Sequence, residues 1–164
     1  MEQEESYLEV KDSKFGKGLF AKKSIPPGTI ICQAKGRVLT FEETAVLGDK
    51  ESHTLQIGMG KYIYCEPPFL YSNHSCNPNC GVTADLELFT LRKIKKGEEL
   101  FWDYSTSMLE RHWQMECLCG EANCRNIITD FDLLPQEVQN KYIQLNIVFP
   151  FIMRFLEQQL AKTA

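Results

Sequence analysis

The two stretches that decide the fold are NHSCNPN at residues 73–79 and ELFWDY at residues 99–104. The first is rich in asparagine, serine and proline, a composition typical of a tight, hydrogen-bonded loop that presents polar groups to a ligand. The second, taken alone, predicts a strand with core aromatic residues. His74 stands close to Cys76, but this is weak support for a nucleophilic pair, because catalytic partners usually meet in space rather than in sequence. Neither stretch alone identifies a function, and the motifs around them have to be considered as well.

A cysteine-rich segment follows, CLCGEANC at residues 117–124. Zinc prefers four tetrahedral thiolate or imidazole ligands, so three thiols at this spacing predict a structural zinc site that needs a fourth ligand. Cys76, Cys80 and His112 are the candidates for that ligand. The alternatives are disulfides, a redox site or unrelated free thiols. Disulfides are disfavoured because the acidic start of the chain shows no secretory signal, which predicts a reducing compartment.

Near the N-terminus, the stretch FGKGLFA at residues 15–21 carries two glycines that allow a backbone to approach a ligand closely. A phosphate-binding loop would be followed by a helix, whereas a strand-like run and a Pro-Pro turn follow here. The stretch is therefore not a nucleotide fingerprint.

Short β-type runs between turn signals dominate residues 1–100. The predicted strands span residues 7–11, 18–21, 29–33, 37–39, 54–57, 62–65, 80–83 and 86–91. Residues 22–30 and 91–100 share a turn pattern, a basic pair followed by Ile-x-x-Gly, in which Gly28 and Gly97 are expected at positive φ. Cys32 is predicted to be a small core residue of a buried strand, and Cys65 and Cys80 are left unassigned.

Predicted helices are few. A capping box at Thr40 starts a short helix that ends near Gly48, a second helix covers residues 106–114, and two more follow Pro135. Helical spacing of apolar residues in the last part of the chain favours a packing face over a partner surface. Those residues are Val148, Phe149, Phe151, Ile152, Phe155 and Leu156.

The 164 residues, 43% hydrophobic and 24% charged, predict one soluble globular domain with at most a small appendage. No apolar run approaches the ~18 residues of a membrane span. The net charge of −4 resides in residues 1–12, with five acids and one base, because the remaining 17 bases (18 − 1) and 17 acids (22 − 5) cancel. Without a basic footprint, direct nucleic-acid binding is disfavoured as the main function. The acidic segment either attracts a basic partner or forms a solvated, frayed terminus.

Taken in order, these motifs resemble the SET-domain protein lysine methyltransferases that carry a post-SET zinc segment. The resemblance covers roughly residues 7–128, and no cysteine-rich segment precedes it, as in the small free-standing SET proteins. It implies a mainly β fold, with small sheets around a pseudoknot formed by residues 73–79 and 99–104. The implied divisions are a SET domain at 1–110, a post-SET zinc segment at 111–129 and a C-terminal helical extension at 130–164.

The resemblance also implies S-adenosylmethionine as cofactor and Zn²⁺ as a structural ion. Tyr104 is the implied catalytic residue, and Trp102 and Tyr104 line the substrate lysine channel. His53 falls where the family often has a cofactor-contacting tyrosine. The implied cofactor contacts are Phe15, Gly16, Lys17, His53, Asn73, His74 and Leu118, and the implied zinc ligands are Cys76, Cys117, Cys119 and Cys124.

In the implied reaction an uncharged lysine amine attacks the sulfonium methyl group. A narrow apolar channel promotes loss of the lysine proton, and Tyr104 orients the amine as a neutral phenol rather than as an ionised base. Because Trp102 has no hydroxyl to hold a water molecule, we expect products beyond monomethyl-lysine.

Three departures from the family pattern concern substrate choice and turnover. Ala34, in AKGR at residues 34–37, replaces the second active-site tyrosine, so the channel is wider or is completed by Tyr62 or Tyr64. Leu70 replaces a common arginine, and CEPPFL at residues 65–70 replaces the usual Gly-Asn start. Because of these departures, a non-catalytic SET-like module that binds a protein is the alternative hypothesis to a methyltransferase. A purely structural zinc protein is a third hypothesis.

The expected partner is a protein substrate with a target lysine, such as a histone tail, and neither nucleic acid nor membrane is expected. The C-terminal helices are a candidate homodimer surface. The expected location is intracellular: nuclear in a eukaryote, and cytoplasmic or secreted without a signal as an effector in a bacterium.

Overall fold

The computed structural model describes residues 6–164, and most of their regular structure is β. The strands are β1 (Leu8–Ser13), β2 (Gly16–Ala21), β3 (Ile30–Gln33), β4 (Gly36–Thr40), β5 (Thr54–Gly58), β6 (Lys61–Cys65), β7 (Asn73–His74), β8 (Cys80–Val82), β9 (Glu87–Thr90), β10 (Phe101–Trp102), β11 (Met115–Glu116) and β12 (Ile127–Ile128). The helices are α1 (Phe41–Ala45), α2 (Gln136–Gln144) and α3 (Pro150–Thr163). Short 3-10 turns cover Gly48–His53, Phe69–Tyr71, Tyr104–Ser107 and Phe131–Leu133.

The strands form several small sheets instead of one large one. β1–β2 and β11–β12 are antiparallel hairpins, and two antiparallel sheets have the strand orders β3-β9-β8 and β4-β6-β5. All the predicted strands are present, with ends that differ by a residue or two. The mainly β fold class is therefore confirmed.

The two stretches that decide the fold lie side by side. β7 and β10 pair in parallel, with Asn73 opposite Phe101 and His74 opposite Trp102. Asn79 fastens the loop after β7 to the same segment, because its side chain donates to the Glu99 carbonyl at 2.8 Å and accepts the Phe101 N–H at 2.8 Å. β7 and β10 pair over only two residues each, and the Asn79 side chain supplies further hydrogen bonds between the two segments.

The two similar turns pair with each other. Ile25 and Ile94 form an isolated antiparallel bridge, with N–O distances of 3.0 and 2.9 Å, and both side chains are fully buried. Gly28 and Gly97 have φ values of +75° and +83°, as expected for these turns. The shared sequence pattern therefore corresponds to two facing turns in the core.

The predicted helix at residues 106–114 is wrong. After the turn at Tyr104–Ser107 the chain is irregular up to β11, and Arg111 has φ +57°. The Glu110 and Arg111 N–H groups donate to Asp130 Oδ2 at 3.1 and 2.8 Å. A distant carboxylate thus replaces the helical acceptors, which a local pattern does not show.

The other helices agree with the sequence. Thr40 and Glu43 form the predicted capping box of α1, which ends at Ala45, before Gly48. Pro150 occupies the first turn of α3. The predicted packing face is confirmed, since four of its residues are buried in the main core and two are partly buried against it: Val148, Phe149, Phe151 and Ile152, then Phe155 and Leu156. No helix within residues 6–164 has the length and apolar character needed to cross a bilayer.

Two predictions about exposure need correction. β3 is an edge strand in which Cys32 is only half-buried and Ile30 is 55% exposed, so the apolar run does not mark a buried strand. Part of the acidic segment lies outside the described residues, but Glu9 and Asp12 stand on β1 and pair with lysines at 2.9 and 2.5 Å. The described part of that segment is therefore a strand and not a frayed end.

Candidate functional site

A cleft of about 720 Å³ opens between the β1–β2 hairpin, the β7–β10 pair and the cysteine-rich segment. Small-molecule sites typically measure ~300–1,000 Å³. Its walls comprise Lys14, Phe15, Lys17, Ser52, His53, Leu70, Tyr71, Asn73, His74, Tyr104, Met115, Glu116, Cys117, Leu118, Cys119 and Ile128. The cleft has the size and mixed polarity of a cofactor site.

Asn73 joins the hairpin to the β7–β10 pair. Its amide nitrogen donates to the Lys17 carbonyl at 2.8 Å and to Glu99 Oε1 at 2.9 Å, so among the described groups its carbonyl oxygen is left for a ligand donor. Glu99 also accepts a hydrogen bond from the Ser13 hydroxyl at 3.0 Å. Gly18 lies against this carboxylate, since a Cβ there would stand 2.3 Å from Glu99 Oε1. Glu99 belongs to the motif at residues 99–104, but its contact with Asn73 was not predicted, because that motif alone indicates only a strand.

His74 is a neutral structural element of the cleft. Its ring is buried, and burial lowers its pKa to about 4. Nδ1 accepts the Tyr104 N–H at 3.1 Å, which places the ring proton on Nε2, 3.5 Å from Cys76 Sγ. The imidazole therefore connects the backbone of Tyr104 with a candidate zinc ligand.

A second, narrow cavity of about 50 Å³ lies next to the cleft, and the two share Ser52, His53, Leu70 and Tyr104 as walls. Aromatic rings line it: the Trp102 and Tyr104 centroids are 4.8 Å apart, and Phe69 packs on Trp102 at 5.8 Å. Its charged walls are Glu51 and Glu110, and within the described chain neither lysine nor arginine lines it. We name this cavity the channel.

Tyr104 stands where the cleft and the channel meet. Its hydroxyl donates to the Ser72 carbonyl at 2.8 Å, and burial raises its pKa, so it is a neutral phenol. The Ser72 hydroxyl accepts the Trp102 Nε1–H at 3.0 Å and donates to the Phe69 carbonyl at 2.6 Å. Sequence reasoning missed Ser72, whose only signal was its position just before the polar loop.

Ala34 does not line the channel; it is buried in the core. Tyr62 does line it, whereas Tyr64 points its hydroxyl at His53 Nδ1, 3.1 Å away. The Tyr62 hydroxyl donates to Glu110 Oε2 at 2.5 Å, and burial raises the pKa of both groups. Of the two tyrosines considered from the sequence, Tyr62 is thus the one that contributes to the channel wall.

The four cysteines implied as zinc ligands come together. The sulfur atoms of Cys76, Cys117, Cys119 and Cys124 all lie within 4.8 Å of one another, so the cluster can hold a metal ion. The other candidates for the fourth ligand lie elsewhere: Cys80 is fully buried on β8, and His112 pairs with Glu51 at 3.0 Å.

The chemistry of the cluster fits zinc. Burial raises the pKa of Cys76 to about 11 and raises that of Cys117 as well, so these two thiols keep their protons unless a cation replaces them. At Cys119 hydrogen bonds outweigh burial and lower the pKa to about 7, which favours a thiolate ligand. The Arg125 N–H points at Cys76 Sγ, 3.4 Å away, and the Asn126 N–H at Cys124 Sγ, 3.5 Å away. Such donors stabilise metal-bound thiolates.

Most of the implied cofactor contacts share the cleft. Phe15, Lys17, His53, Asn73, His74 and Leu118 all line it. Gly16 does not; it begins β2 at φ +99°. Leu118 is 65% exposed at the rim, which leaves it free to pack on a ligand.

The SET-domain family model matches residues 16–105, more than half of the sequence, and the chain therefore belongs to the SET-domain family. It is 32% identical to "Histone-lysine N-methyltransferase trr" of Drosophila melanogaster over 67% of this chain and 5% of that protein. It is 34% identical to "Variant-silencing SET domain-containing protein" of Plasmodium falciparum over 73% of this chain and 6% of that protein. It is 30% identical to "Histone-lysine N-methyltransferase, H3 lysine-36 specific" of Gibberella zeae over 73% of this chain and 15% of that protein. The chain thus spans a small part of these relatives.

Proposed function

We propose that this chain is a protein lysine N-methyltransferase that uses S-adenosylmethionine. The observation that carries the proposal is the junction of two cavities, a cofactor-sized cleft and a narrow aromatic channel, at the Tyr104 ring. Methyl transfer needs a donor and an acceptor held in line from opposite sides, and this junction suits that geometry. The names of the relatives, histone-lysine methyltransferases, support the same reaction.

In the cleft, Asn73, His74 and the backbone of Phe15 and Lys17 hold the cofactor, with His53 at the junction and Leu118 at the rim. When bound, S-adenosylmethionine supplies an electrophilic methyl group. The orientation of Asn73 by Lys17 and Glu99 supports its role, because a fixed carbonyl oxygen recognises a cofactor donor without further ordering.

In the channel, the protein prepares the lysine. Glu51 and Glu110 in the channel wall attract an ammonium group, and removal from water in the narrow channel disfavours the charged form, which lowers the lysine pKa. The Tyr104 proton is engaged with Ser72, so the phenol oxygen offers its lone pairs to the reacting groups. Tyr104 therefore orients the amine and does not remove its proton.

The cysteine cluster holds a structural zinc ion in this proposal. Cys117, Leu118 and Cys119 are both part of that segment and walls of the cleft. A closed set of four protein ligands leaves no open position, so the ion shapes the cofactor site and takes no part in methyl transfer.

A histone tail or another basic protein is the proposed substrate, in agreement with the acidic channel walls and the names of the relatives. Three expectations stay predictions: the division of the chain after residues 110 and 129, a homodimer formed through the C-terminal helices, and an intracellular location.

The test is a transfer assay with labelled S-adenosylmethionine, core histones and a whole-cell lysate. We expect label in a protein band, and a loss of about tenfold or more with Tyr104→Phe while calorimetry shows unchanged binding of S-adenosylhomocysteine. Absence of cofactor binding would refute the proposal.

The second candidate is a SET-like module that binds a protein without methylating it. The burial of Ala34 away from the channel favours it, because the position of the family's second active-site tyrosine then adds no hydroxyl to the channel, and Tyr62, whose hydroxyl is bonded to Glu110, is the other tyrosine in the wall. Cofactor binding without label in any band of the same assay would support this candidate.

A further inference from the structure

A buried carboxylate lies directly beside Tyr104. The Asp103 side chain is 0% exposed. It accepts hydrogen bonds from Arg125 Nη2 at 2.9 Å, from the Tyr142 hydroxyl at 2.8 Å and from the Ser105 N–H at 3.0 Å. A buried charge is tolerated only when it is paired and hydrogen-bonded, so these donors determine where Asp103 can sit.

The donors come from different parts of the chain. Ser105 belongs to the turn after Tyr104, Arg125 follows the last zinc-site cysteine, and Tyr142 lies on α2. Two of them, Arg125 and Tyr142, stand beyond the residues matched by the family model, which ends at 105. A segment outside the family match therefore reaches the centre of the site.

The same two residues contact the zinc site. The Tyr142 hydroxyl lies 3.4 Å from the Cys76 carbonyl, and the Arg125 N–H points at Cys76 Sγ. Tyr142 is itself 1% exposed. One phenol thus lies against both the carboxylate beside Tyr104 and the backbone of a candidate zinc ligand.

α2 and its flanks are anchored firmly enough to hold that phenol. Gln139 Nε2 donates to the Leu134 carbonyl at 2.9 Å, and the Phe149 N–H donates to the Thr106 carbonyl at 3.0 Å. Ile147 packs against β8 so closely that a Cβ at Gly81 would stand 2.4 Å from its Cγ2. The helix is therefore a fixed part of the core.

We propose that Tyr142 is a positioning residue, which fixes the Asp103 carboxylate from α2. Through Asp103 and Arg125 it keeps Tyr104 and Cys76 at a fixed distance and orientation relative to each other. Where it concerns turnover, this inference rests on the proposed methyltransferase function. Where it concerns zinc retention, it is independent of that function. The C-terminal extension is then part of the active site and not only a packing appendage.

The test compares Tyr142→Phe, which keeps the ring and removes only the hydroxyl, with Ile147→Val, which trims the same C-terminal segment without touching the network. The measurements on the full chain are the half-time of zinc release to a chromogenic chelator, and kcat and KM for methyl transfer to histones. Arg125→Lys is a second variant that carries the same test if Tyr142→Phe does not fold.

With Tyr142→Phe we expect zinc release to be about tenfold faster and kcat about tenfold lower, the effect of losing one hydrogen bond to a buried charge. KM should stay within about twofold, because Tyr142 does not line the channel. Ile147→Val should leave the half-time of zinc release, kcat and KM within about twofold of the parent values. The double variant Tyr142→Phe/Arg125→Lys should show less than the product of the single effects, because both act on one carboxylate.

Two results would overturn the inference. One is zinc release by Tyr142→Phe that equals that of the parent protein. The other is an equal shift in Ile147→Val at a matched loss of thermal stability, which would reduce the effect to general destabilisation. If the parent transfers no methyl group but Tyr142→Phe still releases zinc faster, the proposed function fails and the positioning role of Tyr142 stands.

Discussion

Glu99 accepts a hydrogen bond from the Asn73 amide at the wall of the cleft, and we expect this contact to affect the binding of the proposed cofactor. Gly18→Ala would place a methyl group 2.3 Å from Glu99 Oε1 and displace the carboxylate that orients the Asn73 amide. We expect the dissociation constant of S-adenosylhomocysteine to rise about tenfold, the effect of losing one charge-assisted hydrogen bond. Isothermal calorimetry measures it directly.

The matched control for that variant is Gly28→Ala. Gly28 has φ +75° and no neighbour within 4 Å of an added Cβ, so the substitution strains the turn without contacting the cleft. It should lower stability by ~1 kcal/mol and leave the dissociation constant unchanged. Equal affinities for parent and Gly18→Ala would contradict the role assigned to Glu99.

Trp102 lines the channel, and we expect it to limit the space available for a methylated amine. Its only polar group, Nε1–H, is engaged with Ser72, so it offers nothing that would hold a water molecule beside the amine. We therefore expect dimethyl- and trimethyl-lysine among the products, and a shift toward monomethyl-lysine with Trp102→Tyr. Mass spectrometry of a methylated peptide decides this, and monomethyl-lysine as the sole product of the parent would end the idea.

The resemblance indicated Tyr104 and the four cysteines from residue type and spacing, and the structure brings those cysteines together. Ser72 and Glu110 were missed because serine and glutamate are common on surfaces, and only tertiary contacts give them a role. Glu99 was quoted within its motif, but its contact with Asn73 appears only in the folded structure. Tyr62 and Tyr64 could not be told apart in sequence, because residues two apart on a strand share one face of the sheet. Only their tertiary contacts distinguish them, since the Tyr62 hydroxyl reaches Glu110 and the Tyr64 hydroxyl reaches His53.

Among the elements, the β11–β12 hairpin adjoins the cysteine cluster, since the Cys117 N–H donates to the Asn126 carbonyl at 2.8 Å just beyond the paired strands. We expect one zinc ion per chain, and its removal by a chelator should lower the affinity for S-adenosylhomocysteine, because Met115–Cys119 and Ile128 form one wall of the cleft. Elemental analysis gives the zinc content and calorimetry the affinity.

Cysteine variants sharpen this expectation. Cys124→Ala should lose zinc, whereas Cys80→Ala should keep it, because Cys80 is buried on β8 away from the cluster. Full zinc content in Cys124→Ala would show that the cluster is not the binding site.

The contrast between α1 and residues 106–114 shows which elements a sequence can predict. The α1 capping box is local, since Thr40 and Glu43 bond each other. The segment after Tyr104 has helical composition, but Gln56 Oε1 accepts the Leu109 N–H at 2.7 Å and Asp130 accepts the next two. Acceptors that distant in sequence leave no local signal.

At the scale of the whole molecule, the C-terminal segment and the β8 strand share one core. Gly81→Ala should cost ~1–3 kcal/mol by overpacking against Ile147, and Ile147→Ala should cost ~2–5 kcal/mol by leaving a cavity. The double variant should cost less than the sum, because the added methyl group fills space that the deletion opened. Urea unfolding measures the three free energies, and strict additivity would contradict the packing.

Most strands could be predicted from the sequence, but the two-residue strands β7, β11 and β12 were missed, and the pairing of the strands was not predicted from periodicity. Alternating runs and turn residues mark β1 to β6, whereas the parallel pairing of β7 with β10 and the contact between the turns at Ile25 and Ile94 join residues far apart in the chain. Only the family resemblance predicted that residues 73–79 and 99–104 meet, because periodicity carries no information about which strands pair.

If a cofactor and a lysine meet at Tyr104, methyl groups must reach lysine side chains. Tandem mass spectrometry should follow core histones incubated with the purified chain and S-adenosylmethionine that carries a labelled methyl group. We expect labelled methyl groups on lysine side-chain nitrogen atoms, reduced about tenfold or more with Tyr104→Phe. Label on another residue type, or equal lysine labelling by the parent and by Tyr104→Phe, would contradict this expectation.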